Sequence, residues 1–116
     1  MRFHDRLKVL VDEYAHFVYK ISKQFPKEEI YGITSQIRRA SLSVALNYIE
    51  GYSRRRKQVM LNFYEISFGS LKESKYLLGF SFEENYLNKT EFDFSNKLAD
   101  EIGAMLYSTI QNLEYK

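Results

Sequence analysis

The chain has 116 residues, 45% of them hydrophobic and 28% charged, with a formal net charge of +2, one proline, five glycines and no cysteine. That length suits one domain, and that balance suits a globular chain rather than a disordered one. The absence of cysteine excludes disulfides and thiolate chemistry, no run approaches the ~20 apolar residues of a membrane span, and a charge of +2 does not by itself demand a polyanionic partner.

A first helix is predicted over about 5–24. Leu7, Leu10, Val11, Tyr14, Phe17, Val18, Ile21 and Phe25 recur at threes and fours. Arg6, Lys8, Asp12, Glu13, His16, Lys20 and Lys23 take the other side. His4 falls at an end expected to fray. Pro26 ends the helix and suits the first turn of a second, over about 27–51. Glu28 and Glu29 then sit at its positive dipole end. So short a connection makes the two helices antiparallel neighbours.

The second helix carries two apolar faces. Ile30, Ile33, Ile37, Ala40, Val44 and Tyr48 form a core stripe. Tyr31, Leu42, Ala45, Leu46 and Ile49 lie roughly 120° away. Gln36, Arg39, Ser43, Asn47 and Glu50 are polar between them. A surface helix of a small monomer needs one apolar face, so the second is expected to meet another subunit, or else a neighbouring helix of the same bundle.

Gly51 stands where a left-handed cap would end this helix, and Ser53 where an N-cap would open the next, over about 55–83. Arg54, Arg55, Arg56 and Lys57 then fall at the start of that third helix, where cations oppose the dipole and invite an anion. Tyr52 and Tyr64 flank them and could stack bases, or fill a core as aromatics more often do. Val59, Met60, Phe63, Ile66, Ser67, Ser70, Leu71, Ser74, Leu77 and Leu78 read as the buried face. The small members, with Gly69 beside them, would admit a neighbouring backbone; Leu61 and Phe68 fall outside and point to another subunit. Glu73 sits at the core edge, in place to pair with Arg39, and a partly buried pair of that kind would leave a costly stranded charge if split. After a loop at 85–89, Thr90 with Asp93 resembles a capping box for a fourth helix over about 90–114. Leu98, Ile102, Met105, Leu106, Thr109 and Leu113 line its core side. The whole reads as a single all-α domain, an up-down-up-down four-helix bundle.

No catalytic constellation is legible, and no cofactor is implied. Glu13-x-x-His16 has the spacing of a di-iron bundle ligand pair, but there is one copy and it lies on the polar side, so no metal site is expected. No nucleophile elbow or glycine-rich phosphate loop is present.

The segments VYKISKQFPKEE (18–29), SQIRRASLSVALNYIEG (35–51) with its basic run, and FGSLKES (68–74), together with the Ile102-Gly103 to Leu106 region, resemble the four-helix-bundle family of 23S rRNA intervening-sequence proteins. The pattern R-R-A-x-x-S-x-x-x-N-x-x-E-G carries the likeness, with Tyr48 where an aliphatic residue is usual. The resemblance implies a bacterial up-down bundle assembled into a ring, a homopentamer. A similar pentameric bundle, the accessory protein of diversity-generating retroelements, binds nucleic acid and a reverse transcriptase through a basic surface.

The expectation is therefore a non-enzymatic, cytoplasmic homo-oligomer that does not span a membrane and binds RNA or DNA phosphates without strong sequence preference. Arg54, Arg55, Arg56 and Lys57 would make the contacts, with Arg38 supporting them. The interface would use Tyr31, Leu42, Ala45, Leu46, Ile49, Leu61 and Phe68. Arg39, Ser43, Asn47, Glu50 and Glu73 would form a structural polar network. The alternative is an oligomeric adaptor for a protein partner, such as a nucleic-acid enzyme, with no nucleic-acid partner of its own.

Overall fold

A computed structural model describes residues 1–115. Four helices follow one another: α1 (Phe3–Ser22), α2 (Ile33–Ser53), α3 (Lys57–Glu83) and α4 (Lys89–Glu114), with one 3-10 turn at Lys27–Glu29. Each packs on its neighbours in the chain, and α1 and α4 close the ring, as in an up-down-up-down bundle. The described residues span 46 × 27 × 19 Å, about the length of α3 in its long dimension.

α1 forms as its periodicity dictates. Leu7, Leu10, Val11, Tyr14, Val18, Ile21 and Phe25 are all buried. It begins at Phe3, so His4 lies within a helix rather than in a frayed end. Its Nδ1 is 2.6 Å from Tyr48 Oη.

The second helix starts later than expected. Pro26 leads only into the 3-10 turn, and α2 proper begins at Ile33 after Gly32. Ile30 therefore leaves the core stripe and is exposed. Gly51 does not terminate α2 in a left-handed cap. The helix runs on to Ser53, whose Oγ donates to Glu50 O at 2.8 Å instead of capping α3. Gly51 is buried, and a Cβ there would come 2.8 Å from the Tyr64 ring. The glycine thus serves close approach of α2 and α3, since its helical backbone needs no special φ.

α3 is rotated from the expected phase. Leu61, Tyr64, Ser67, Leu71, Ser74, Leu77, Leu78 and Ser81 are buried, while Ile66 is exposed and Phe63, Met60 and Val59 only partly covered. Gly69 faces open space rather than a neighbouring backbone. Three fully buried serines, Ser67, Ser74 and Ser81, stand seven residues apart on one stripe. Ser67 Oγ donates to Val44 O across the α2–α3 seam at 2.7 Å. Ser74 Oγ donates to Leu71 O at 2.8 Å. Its lone pairs remain for the Tyr14 hydroxyl, 2.7 Å away across the bundle. Ser81 Oγ donates to Leu77 O at 2.7 Å.

α3 ends in a motif that sequence reading missed. Asn85 takes the left-handed conformation, φ 64°, with its N–H on Phe82 O (3.0 Å) and the Tyr86 N–H on Ser81 O (2.9 Å). This is a Schellman ending, with Asn in the place glycine usually takes. α4 opens with a true capping box, but two residues earlier than Thr90/Asp93: Asn88 Oδ1 accepts from Glu91 N at 2.8 Å and Glu91 Oε1 accepts from Asn88 N at 3.0 Å.

Candidate nucleic-acid interface

The basic run is a linker, not a helix start. Arg54 and Arg56 are both extended, closing α2 and preceding α3, and only Lys57 lies in α3. The expected clash with the dipole of α3 is accordingly smaller. Arg54 and Arg55 follow the C-terminus of α2, where the dipole favours cations. Arg54 is held by Glu50 at 2.8 Å and lies 5.3 Å from the Phe63 ring centre. Arg55 and Arg56 are exposed, and among the described residues neither is ion-paired. These two arginines are the spare positive charge of the turn.

The flanking aromatics divide. Tyr64 is buried against Tyr48, ring centres 5.8 Å apart, and cannot stack an incoming base. Burial pushes its hydroxyl pKa up to about 12, with the nearby Tyr52 adding to the shift. Tyr52 is exposed, but the Lys8 ammonium sits 4.1 Å from its ring centre and the His4 ring 5.0 Å away. Burial, and then the Lys8 charge, hold the His4 pKa below its ordinary value.

Arg38 does not join the basic turn. Sixteen residues of helix place it roughly 24 Å from Arg54 along α2. Its Nε donates to Ser22 Oγ at 2.7 Å, and its guanidinium lies 4.2 Å from the Tyr19 ring centre. Its sequence neighbour Arg39 pairs with Glu73 at 2.6 Å, as their positions suggested, but the side chains are 64% and 44% exposed, so this is a surface pair rather than a partly buried one. Ser43 Oγ is 2.8 Å from Ser70 Oγ, and Asn47 Nδ2 donates to Ser43 O and Oγ, both at 2.9 Å. The five residues grouped as a polar network thus lie along the α2–α3 seam, with Glu50 turned to Arg54 rather than to the others.

The expected interface set is split by the fold. Leu42, Leu46 and Ile49 are 51%, 55% and 52% exposed and share the outward face of α2, with Tyr31 fully exposed beyond its start. Ala45 and Leu61 are core residues. Phe68 is half-covered against the core, with the Lys72 ammonium 5.1 Å from its ring centre. Ile66, read as core, is 51% exposed, as Ile30 also proved to be exposed. Glu13 and His16 both face solvent, and among the described residues no three metal-binding side chains come together. Among the described residues no helix is long and apolar enough to cross a membrane.

Helix order, seam and turn together define an all-α four-helix bundle protein. The chain belongs to the 23S rRNA-intervening sequence protein family, whose family model matches residues 10–108. Its fold is similar to the crystal structure of a protein with unknown function from the S23 ribosomal protein family of Bacteroides thetaiotaomicron VPI-5482. The two share 21% identity at a TM-score of 0.83, over 90% of this chain and 97% of that one. No curated protein matches the chain.

Proposed function

We propose that the chain acts as a non-enzymatic homo-oligomer that binds RNA or DNA phosphates through the α2–α3 turn. The observation that carries the reading is the pair Arg55 and Arg56, exposed and without carboxylate partners on an extended linker. Extended backbone lets successive guanidinium groups reach separate phosphates, and such contacts are indifferent to sequence. Arg54 and Lys57 extend the same strip, though Glu50 must be displaced before Arg54 is fully available.

Assembly is supported by the outward face of α2. Covering the exposed halves of Leu42, Leu46 and Ile49 is worth about 1 kcal/mol each. That is small beside the roughly 4–15 kcal/mol cost of association, so more surface must join in, as a closed ring with two contacts per subunit allows. A ring of five, as the family resemblance implies, would repeat the arginine turn five times.

Fluorescence anisotropy with a single-stranded oligonucleotide across a salt series tests the binding. Affinity should fall steeply with salt, and Arg55→Ala with Arg56→Ala should flatten the log–log slope by roughly one per lost phosphate contact. Absence of binding at low salt, or an unchanged slope in the variant, rejects the reading. The α2 stripe favours a second reading, an adaptor that seats a protein partner. A partner retained after nuclease digestion, by a protein that does not bind the oligonucleotide, would favour it.

A further inference from the structure

The α1–α2 corner, at the opposite end of α2 from the arginine turn, encloses an open cavity of about 270 Å³. Its lining includes Ser22, Lys23, Lys27, Thr34 and Arg38. Three of these are cations, and among the described residues none of the three is paired with a carboxylate. Glu29, close by in the 3-10 turn, accepts a hydrogen bond from the Tyr86 hydroxyl at 2.9 Å. It does not line the cavity.

Arg38 is prepared for a ligand. Its Nε is engaged by Ser22 Oγ at 2.7 Å and one face of the guanidinium rests by Tyr19. These contacts fix the plane and leave the terminal nitrogens as donors, the arrangement by which arginine grips a tetrahedral oxyanion with two parallel bonds. Beside it, Thr34 is 2% exposed, and its Oγ1 is the one buried side-chain oxygen without a partner among the described residues. A buried hydroxyl without a partner is costly, and such groups call for an explanation such as a missing ligand. The first turn of α2, where Thr34 stands, adds backbone N–H groups and the positive end of the dipole.

We infer that this corner is a binding site for a phosphate dianion, gripped by Arg38, neutralised by Lys23 and Lys27, and reached by the Thr34 hydroxyl once that side chain turns out of the packed interior where it now lies. The phosphate can be free, borne by a small molecule, or the 5′-terminal phosphate of a strand. The shared chemistry is a doubly charged group with three accessible oxygens. An internal phosphodiester, with one charge and two free oxygens, fits less well, so the site is distinct in kind from the arginine turn.

Isothermal titration of the intact protein with inorganic phosphate tests this directly, with adenosine monophosphate and a pair of oligonucleotides, 5′-phosphorylated and 5′-hydroxyl, as further arms. Saturable phosphate binding is expected, weakened about ten- to a hundred-fold in Arg38→Ala and clearly weakened in Arg38→Lys, which keeps the charge but loses the fork. Thr34→Val should fold at least as stably as the parent, because it deletes a buried hydroxyl without a partner, and should still bind phosphate less tightly. Tighter binding of the 5′-phosphorylated strand than of its hydroxyl twin assigns the phosphate to a strand end. Equal binding of the two strands, with phosphate or the monophosphate still saturating, assigns it to a small molecule. Arg55→Ala with Arg56→Ala should leave phosphate binding unchanged, so failure at one site is separable from failure at the other. No saturation by any dianion, or affinity indifferent to both Arg38→Ala and Thr34→Val in folded protein, overturns the inference.

Discussion

Replacing Gly51 by alanine should destabilise the protein, against the general helix preference. In an exposed helix alanine is better than glycine by about 1 kcal/mol. At Gly51 the new Cβ would stand 2.8 Å from Cδ1 and Cε1 of Tyr64 and 3.2 Å from Phe63 Cβ. Comfortable carbon contacts begin near 3.5 Å. Tyr64 cannot swing aside, since it is 1% exposed and stacked on Tyr48. The α2–α3 seam must open instead, and overpacking of this kind costs about 1–3 kcal/mol. The net expectation is a loss of about 1 kcal/mol, or roughly 4 °C in melting temperature for a chain of this size. Gly69 is the internal control. It lies in α3, and a Cβ added there would meet no atom within 4 Å, so Gly69→Ala should gain up to about 1 kcal/mol. Urea denaturation followed by circular dichroism, at unchanged m-value, measures both. If Gly51→Ala proves as stable as Gly69→Ala, the close approach at this end of the seam is wrong.

Arg39 and Glu73 should show a coupling below about 1 kcal/mol in a double-mutant cycle, because both are largely exposed. A coupling of several kcal/mol would mean the pair is covered, as in an assembled interface. Stability should fall as pH drops from neutrality. His4 has a lowered folded pKa, so the unfolded chain binds its proton first and the contribution is lost below the unfolded value near 6.5. Thermal melts between about pH 7 and 5 should lose part of that slope in His4→Gln. The alkaline limb has the opposite sign. Burial raises the hydroxyl pKa of Tyr14, Tyr48 and Tyr64, the last to about 12, so the unfolded chain releases protons first and stability declines once pH exceeds about 10. Absorbance titration should show these three ionising with unfolding, after the exposed tyrosines; a single smooth transition of all ten near pH 10 would contradict the burial.

The fold was legible where one physical signal dominated. α1 has a single apolar face and a single polar one, and its buried set is the set its spacing named, apart from Phe17, which is half-covered, and Ser22, a polar residue buried at its end. α3 was harder, since aromatic and aliphatic residues lie all around it and its core stripe is marked as much by Ser67, Ser74 and Ser81 as by apolar groups. Hydrophobic periodicity alone could not show that Ile66 is outside and Tyr64 inside. A seven-residue recurrence of serine was the available signal. Caps were misplaced, Thr90 for Asn88 by two residues and Ser53 for Arg56 by three, because Ser, Thr and Asn have similar propensities and Arg56 opens α3 with no side-chain cap bond, so only the backbone geometry decides. In the basic stretch the residues were readable but their locations were not. Consecutive Arg38 and Arg39 point to different neighbours 100° apart on one helix, a division that charge counting cannot see.

The buried hydroxyls of α3 also act as a key between shafts. Ser67 finds Val44 O, and Tyr14 finds Ser74, at one axial setting only. Sliding α3 by a turn, about 5.4 Å, would part Ser67 from Val44 O and strand the Tyr14 hydroxyl in the dry interior, while Ser74 would carry its bond to Leu71 O along with its own helix. Twisting or shearing under load should therefore be resisted at mid-bundle and yield at the corners. A pull applied at one end of the molecule would then reach the far end as rigid-body motion rather than as slippage.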